Sequence, residues 1–263
     1  MYYRNQIPQR QYAKKRAKFS EQGLTIMESL VAIVMIAAVS VSLTPPIFLT
    51  VATRVQNRRA EQAMNLAHGE IDRVRVLMEQ GVTQNNVEQL PGLDGSESLE
   101  NVPAPSSIHG GPESQTGLQS TNFTCSEYDK NYQQLDSTTA LKVDVNGDCE
   151  YDFLVQTFRI REQTTGGQNP IPLIFRMGVR VYSRVAEDSS GALLTEEASL
   201  QLTTGEGQQD TRPLAVMYTD LGQADLDESL VKYHCFVAGG GGEMCEYWSY
   251  FLRLSASRKP IFL

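Results

Sequence analysis

Residues 23–51 read GLTIMESLVAIVMIAAVSVSLTPPIFLTV, and this stretch decides how the rest of the chain is organised. Glu28 is its single charged residue, and the 25 residues from Ser29 to Thr53 carry no charge at all. A helix needs roughly 20 such residues to cross a hydrocarbon core about 30 Å thick. The stretch therefore predicts a transmembrane helix at residues 24–51.

The residues before this stretch form a short basic segment. Residues 1–22 contain six Lys or Arg residues and one acid, Glu21. An excess of basic residues holds the flanking segment in the cytoplasm. We therefore expect a single-pass inner-membrane protein with a cytoplasmic N-terminus and a periplasmic C-terminal domain.

A secretory signal peptide is the alternative interpretation, with Ala38-Val39-Ser40 as its cleavage site. The acid at Glu28 and the continuation of the apolar run past Ser40 argue against it.

The charge of the chain is uneven. The formal net charge is −8, and because residues 1–22 contribute +5, the remainder carries −13. Contacts to phosphates need clustered Lys and Arg side chains, so a nucleic-acid partner is not predicted.

A helical pattern continues beyond the apolar run. Apolar residues recur close to the spacing of one helix face, and Gly81 supplies the expected stop; these residues are Val51, Val55, Met64, Ala67, Ile71, Val74 and Met78. We predict one helix over residues 24–80, with Pro45 and Pro46 kinking or locally melting it.

The C-terminal half has the pattern of strands. Residues 81–138 are rich in Gly, Ser, Pro and Asn and are predicted to be a linker. Residues 139–263 are predicted to be a β domain. Its strand candidates are Ala140–Val145, Phe153–Ile160, Ile171–Val185, Leu200–Thr204 and Leu214–Tyr218, paired antiparallel, with a bulge or bend near Gly178.

The junction at Gly23 carries a specific motif. A basic leader, residues 1–23, ends in Gly23 and is followed by Leu24-Thr25-Ile26-Met27-Glu28 and an apolar run. This resembles the N-terminus of type IV pilins and related prepilin-like proteins, although Leu24 replaces the more usual Phe or Met. The resemblance implies cleavage after Gly23 by a prepilin peptidase and N-methylation of Leu24.

The resemblance also implies a fold and a function. We expect an α+β, pilin-like fold in which a long N-terminal helix, transmembrane and then amphipathic, packs on an antiparallel β-sheet domain. The ESLVAI segment looks like minor pilins and pseudopilins, and ATRVQNRRAEQA at residues 52–63 is similar to cyanobacterial minor pilins linked to polysaccharide secretion and motility. The expected function is that of a structural subunit of a type IV pilus or type II secretion-like machine.

The implied partners are the prepilin peptidase, other pilins or pseudopilins, the inner-membrane assembly platform and the membrane, with the pilus or cell surface as the final location.

A carboxylate on an apolar helix is costly and needs a partner. For Glu28 we expect the α-amine of Leu24 in a neighbouring subunit; residence at headgroup depth is the alternative. A membrane-anchored carbohydrate- or ion-binding module outside any filament remains the alternative function.

Four cysteines, Cys125, Cys149, Cys235 and Cys245, all follow the membrane run, where the compartment is oxidising. Of the three ways to pair them, the sequential pairing of Cys125 with Cys149 and Cys235 with Cys245 closes the shortest loops. Free buried thiols are the alternative.

Oxygen-bearing side chains alternate at Asp144, Asn146 and Asp148, as at the start of a calcium loop. Cys149 stands where that loop needs glycine, so an acidic turn pinned by a disulfide is the favoured interpretation, and no cofactor is predicted. The three histidines, His68, His109 and His234, are scattered and match no catalytic motif. An enzyme is not expected.

Overall fold

A computed structural model describes residues 25–109, 119–122, 124–125, 136–165, 169–199, 208–223, 233 and 236–237, with the backbone alone for residues 43–49 and 119. The chain divides into two compact units, residues 1–49 and residues 50–263. Helix α1, Ile26–Gln80, begins in the first unit and ends in the second. Several predictions concern residues outside the described ranges, namely Gly23, Leu24, His234, Cys235, Cys245 and the strand Leu200–Thr204.

The bounds of α1 follow from local capping. The backbone N–H of Glu28 donates to the Thr25 hydroxyl oxygen at 3.3 Å, which satisfies a donor that the first helical turn leaves free. The helix ends at Gln80 because Gly81 has a φ of +91°, a left-handed conformation that suits glycine. The expectation at Pro45 and Pro46 was a kink or local melting, and α1 continues through both residues without a break in the helix. Among the described residues, no helix combines the length and the apolar character needed to cross a membrane.

The second half of α1 is amphipathic. Ala63, Ala67, Ile71, Val74 and Met78 are buried, and their spacing of three to four residues places them on one face. These residues pack in one core with one face of the sheet, whose contributing side chains include Val143, Phe153, Val155, Phe175, Met177, Val179 and Val181. The helix therefore contributes an apolar stripe that the sheet covers.

Seven strands form one sheet. They are β1 Gly92–Leu93, β2 Ser107–His109, β3 Gln119–Ser120, β4 Thr139–Asp144, β5 Phe153–Thr164, β6 Pro172–Ser183 and β7 Ala215–Gly222. The four longest, β4 to β7, are adjacent and antiparallel. These strands confirm four of the predicted strand positions, although β5 and β6 are buried on both faces over most of their length.

The three short strands change the fold class. β2 and β3 pair parallel with β4, and β1 pairs parallel with β5. All three belong to the segment that was predicted to be a linker, residues 81–138, so its described part is integrated into the sheet. The predicted pilin-like fold, with a transmembrane-then-amphipathic helix on an antiparallel sheet, is therefore wrong. The described fold is mixed α/β, and its sheet contains both parallel and antiparallel pairs. Backbone groups of β4 and β5 that are free to form hydrogen bonds pair with segments too short and polar to be recognised as strands from the sequence.

The bulge in the long hairpin lies away from the position predicted. Gly178 pairs in regular register with Phe158, and the register shifts lie between Ile160 and Thr164 instead. Arg161, next to the shift, has a φ of +52°. The prediction at Gly178 was wrong because that glycine provides space for a side chain on the neighbouring strand.

The second face of the sheet is covered by connecting segments rather than by an α-helix. Leu99 and Val102 pack with Phe158 and Ile160, and a separate cluster around Tyr182 packs beside them. Arg180 projects from β6 into this layer and is completely buried. Both faces of the sheet are therefore covered, one by α1 and the other by the segment that follows α1 together with Ala186 and Leu193, which come after β6.

Candidate functional site

The first turn of α1 contains the single carboxylate of the apolar stretch. Glu28 is exposed, and among the residues that the structure describes its side chain has no hydrogen-bond or ion-pair partner. Thr25 and Glu28 have the spacing of a capping box, in which Glu and Gln serve equally at the third helical position. The local role of Glu28 therefore does not require its charge.

Large apolar side chains surround this part of the helix. Ile26 is 86% exposed, Ile33 67%, Ile36 66% and Val41 74%. Further exposed apolar residues of the same segment are Met27, Leu30, Val31, Val34, Met35 and Val39. A helix that is apolar all round is normally buried in protein or lipid. Ten of the large apolar side chains that are exposed in the described part of the chain lie in this segment, and a contiguous apolar surface of this kind is typical of an interaction surface.

The predicted acidic loop forms a tight turn between β4 and β5. The Asp144 side chain is buried, and its carboxylate accepts hydrogen bonds from the Ser120 hydroxyl at 2.7 Å, the Gly147 N–H at 2.7 Å and the Cys149 N–H at 2.9 Å. Burial opposes ionisation of Asp144, but these hydrogen bonds outweigh it and hold the pKa of the carboxyl below its ordinary value.

The other oxygen-bearing side chains of this turn also bind backbone. The Asn146 side-chain oxygen accepts from the Asp148 N–H at 2.8 Å, and Asp148 accepts from the Glu150 N–H at 2.9 Å. These donors use lone pairs that a calcium ion would need. Within the described ranges, no group of three or more His, Cys, Asp or Glu residues is arranged to hold a metal ion.

A disulfide joins Cys125 to Cys149 and closes this turn onto the segment that follows β3. Cys149 has a φ of +69°, which is the conformation that a calcium loop would fill with glycine. The Asn122 amide donates to the Gly147 carbonyl at 2.9 Å and adds a second link. The arrangement is the disulfide-pinned acidic turn that the sequence favoured.

A polar cleft lies in the second unit, between α1 and the ends of β5 and β6. It has a volume of about 510 Å³, and its lining includes Arg59 and Gln62 from the helix, Tyr151 from the turn before β5, and Arg184, Val185 and Asp188 after β6. The sequence analysis missed these residues because they come from three separate segments. Nothing in their local pattern distinguishes them from other surface residues.

The two described histidines, His68 and His109, are exposed. Neither lines the polar cleft.

No protein-family model, no curated protein and no solved structure matches this chain.

Proposed function

We propose that this chain is a structural subunit, a minor pilin or pseudopilin, of a type IV pilus or a type II secretion-like machine. The observation that carries the proposal is the apolar, exposed first part of α1 with Glu28 as its single charge. The motif around Gly23 supports it, because a simple membrane anchor needs neither the glycine before the apolar run nor the acid within it. The proposal concerns processing and assembly and does not depend on a pilin-like domain.

Physical chemistry favours association for this surface. Full burial of one Val, Leu or Ile side chain stabilises a protein by about 1.5–3 kcal/mol relative to leaving it in water. Ten large apolar side chains of this segment are exposed. We expect them to contact lipid in the inner membrane first and the helices of neighbouring subunits after assembly, when close packing replaces lipid contacts.

Glu28 gives this association a register. Removal of residues 1–23 would leave a free, positively charged α-amine on Leu24. Among the described residues the Glu28 carboxylate has no hydrogen-bond or ion-pair partner, and we expect it to pair with that amine on a neighbouring subunit. In a low-dielectric environment such a pair is strongly favoured over two separate charges, so a misaligned helix would be rejected.

The first experiment tests processing. In cells that lack the prepilin peptidase, we expect the full-length chain to accumulate uncut, and we expect Gly23→Leu to have the same effect in wild-type cells. Mass spectrometry of the N-terminus measures both. Normal removal of residues 1–23 without the peptidase would reject the proposal.

The second experiment separates the charge of Glu28 from its position in the helix. Glu28→Gln keeps a residue that suits the capping box but removes the charge. We expect this variant to be processed normally and to be lost from sheared filaments or cross-linked assemblies. Thr25→Val is the matched control for helix capping, with a cost of about 1 kcal/mol. Incorporation of Glu28→Gln at the wild-type level would contradict the pairing.

A membrane-anchored binding module remains the rival. Its prediction is a processed or unprocessed chain that stays in the membrane and never co-purifies with other pilins or pseudopilins. Co-purification after chemical cross-linking therefore distinguishes the two functions.

A further inference from the structure

We infer that the polar cleft of the second unit binds a neutral saccharide. The inference goes beyond the proposed assembly function and is independent of it, because it rests on residues 59–188 and not on the N-terminal motif. A cleft of about 510 Å³ is within the range of small-molecule sites, about 300–1,000 Å³.

Some charged groups of the cleft are already paired. Both carboxylate oxygens of Asp152 accept hydrogen bonds, from the N–H groups of Val145 and Asn146 and from the Asn146 side chain. Glu187 is 2.6 Å from the Lys142 ammonium, and Arg184 is 2.6 Å from the Glu150 carboxylate. These groups shape the walls and have little capacity for a charged ligand.

Three polar side chains of the cleft have hydrogen-bonding groups that the described residues do not use. Arg59, Gln62 and Asp188 are exposed, and among the described residues their side chains have no hydrogen-bond or ion-pair partner. Together they offer a guanidinium, an amide and a carboxylate, whose formal charges sum to zero. An anionic ligand would meet the carboxylate of Asp188 and a cationic ligand would meet the guanidinium of Arg59, so a neutral ligand is favoured over a charged one.

The chemistry of these groups matches vicinal hydroxyls. Each hydroxyl both donates and accepts, and planar guanidinium, amide and carboxylate groups can each bind two neighbouring atoms at once. Val185, which is 50% exposed, adds apolar surface for the C–H groups of a sugar ring. The Tyr151 ring is part of the wall and is already in contact with two cations, Lys142 Nζ at 4.2 Å and Arg184 Cζ at 4.9 Å from its centroid.

The test is calorimetric titration of the purified full-length chain with maltohexaose, cellohexaose and chitohexaose in turn. The chain is kept in a detergent without a sugar headgroup, because a glycoside detergent would compete. Hexagalacturonate serves as the anionic comparison. We expect saturable binding of at least one neutral hexaose and weaker binding of hexagalacturonate.

The variants locate the site. Arg59→Gln and Asp188→Asn should each weaken binding at least about tenfold, as expected for a lost hydrogen bond to a charged group. Arg58→Gln is the matched control, since Arg58 is an exposed neighbour of Arg59 that does not line the cleft. All three positions are exposed, so the variants should melt at the wild-type temperature.

Three results would overturn the inference. These are no saturable binding of any neutral hexaose, equal affinity in all variants, and tighter binding of hexagalacturonate than of every neutral hexaose. Each of these results leaves processing after Gly23 and filament assembly as they are, so the assembly proposal is tested separately.

Discussion

The ring of Phe158 occupies the space beside the backbone of Gly178. The two residues are paired across β5 and β6, and a Cβ added to Gly178 would lie 2.3 Å from Phe158 Cζ. The ring is buried and is held from another side by Arg180, whose Cζ is 4.7 Å from the ring centroid. Gly178 in β6 therefore marks a position where a side chain of the neighbouring strand packs directly against the backbone.

Gly178→Ala should destabilise the protein, because the fixed Phe158 ring cannot move aside without disturbing its neighbours. We expect a loss of about 1–3 kcal/mol in the free energy of unfolding, typical of overpacking. Urea unfolding of the purified chain measures it. Gly69→Ala is the control, because nothing lies within 4 Å of an added Cβ there and the helix should gain up to about 1 kcal/mol. Similar free energies of unfolding for both variants would show that the Phe158 ring can move aside and that the contact does not restrict residue 178.

Arg180 links the second face of the sheet to the segment that covers it. Its guanidinium donates to the carbonyls of Leu99 at 2.9 Å and Val102 at 2.8 Å. Arg180→Met should leave these carbonyls unpaired, at about 1–3 kcal/mol for each buried acceptor. The net loss of stability is smaller than this sum, because the substitution also removes Arg180 Nε, a buried donor that has no hydrogen-bond partner among the described residues. We expect faster amide hydrogen exchange over residues 91–104.

Arg176→Met is the control for this variant. Arg176 points from the same face of β6 but is partly exposed, and its pair with Asp220 at 3.0 Å should contribute at most about 1 kcal/mol. Unchanged exchange over residues 91–104 in Arg180→Met would contradict the role of Arg180 as the anchor of that segment.

Asp144 should make stability depend on pH. Its pKa is lowered in the folded state, so the unfolded state binds more protons as the pH falls through about 3.9, the ordinary Asp value. Its contribution is therefore present above that value and is lost as the pH falls through the folded pKa. We expect Asp144→Asn to be less stable than wild type at pH 7, with the difference shrinking toward pH 3. A difference that is constant across this range would contradict ionic stabilisation by Asp144.

The Cys125–Cys149 disulfide closes a loop with a sequence separation of 24 residues. In the chain-entropy account, such a loop contributes about 3 kcal/mol. The Cys125→Ala, Cys149→Ala double variant should therefore have a lower Tm, and the turn at Asp144 should exchange its amide hydrogens faster. Thermal melts with and without dithiothreitol measure the effect, and any shift that dithiothreitol still causes in the double variant reports on Cys235 and Cys245. A Tm equal to wild type would show that hydrogen bonds alone hold the turn.

Local pattern was sufficient for the regular elements. The helix spacing and the stop at Gly81 correctly predicted the end of α1 and the buried face from Ala67 to Met78, and the strand patterns correctly predicted the positions of β4 to β7. Val51, Val55 and Met64, predicted on the same helix face, are exposed. The helix signal succeeds near the sheet because the period of its apolar residues follows the face that the sheet covers. The motif from Gly23 to Glu28 is also local in sequence, and the function that it predicts stays a prediction.

What only the tertiary structure decided depends on residues far apart in the chain. Segments as short as Gly92–Leu93 become strands because they complete hydrogen bonds beside an existing strand, and this overturned the predicted linker and antiparallel sheet. Arg180 is buried because carbonyls some 80 positions away accept its donors. The sequence by itself determined the helix, the long strands and the N-terminal motif. Long-range packing decided the mixed sheet, the fit of Phe158 on Gly178 and the polar cleft, because contacts between distant residues leave no periodic pattern in the local sequence.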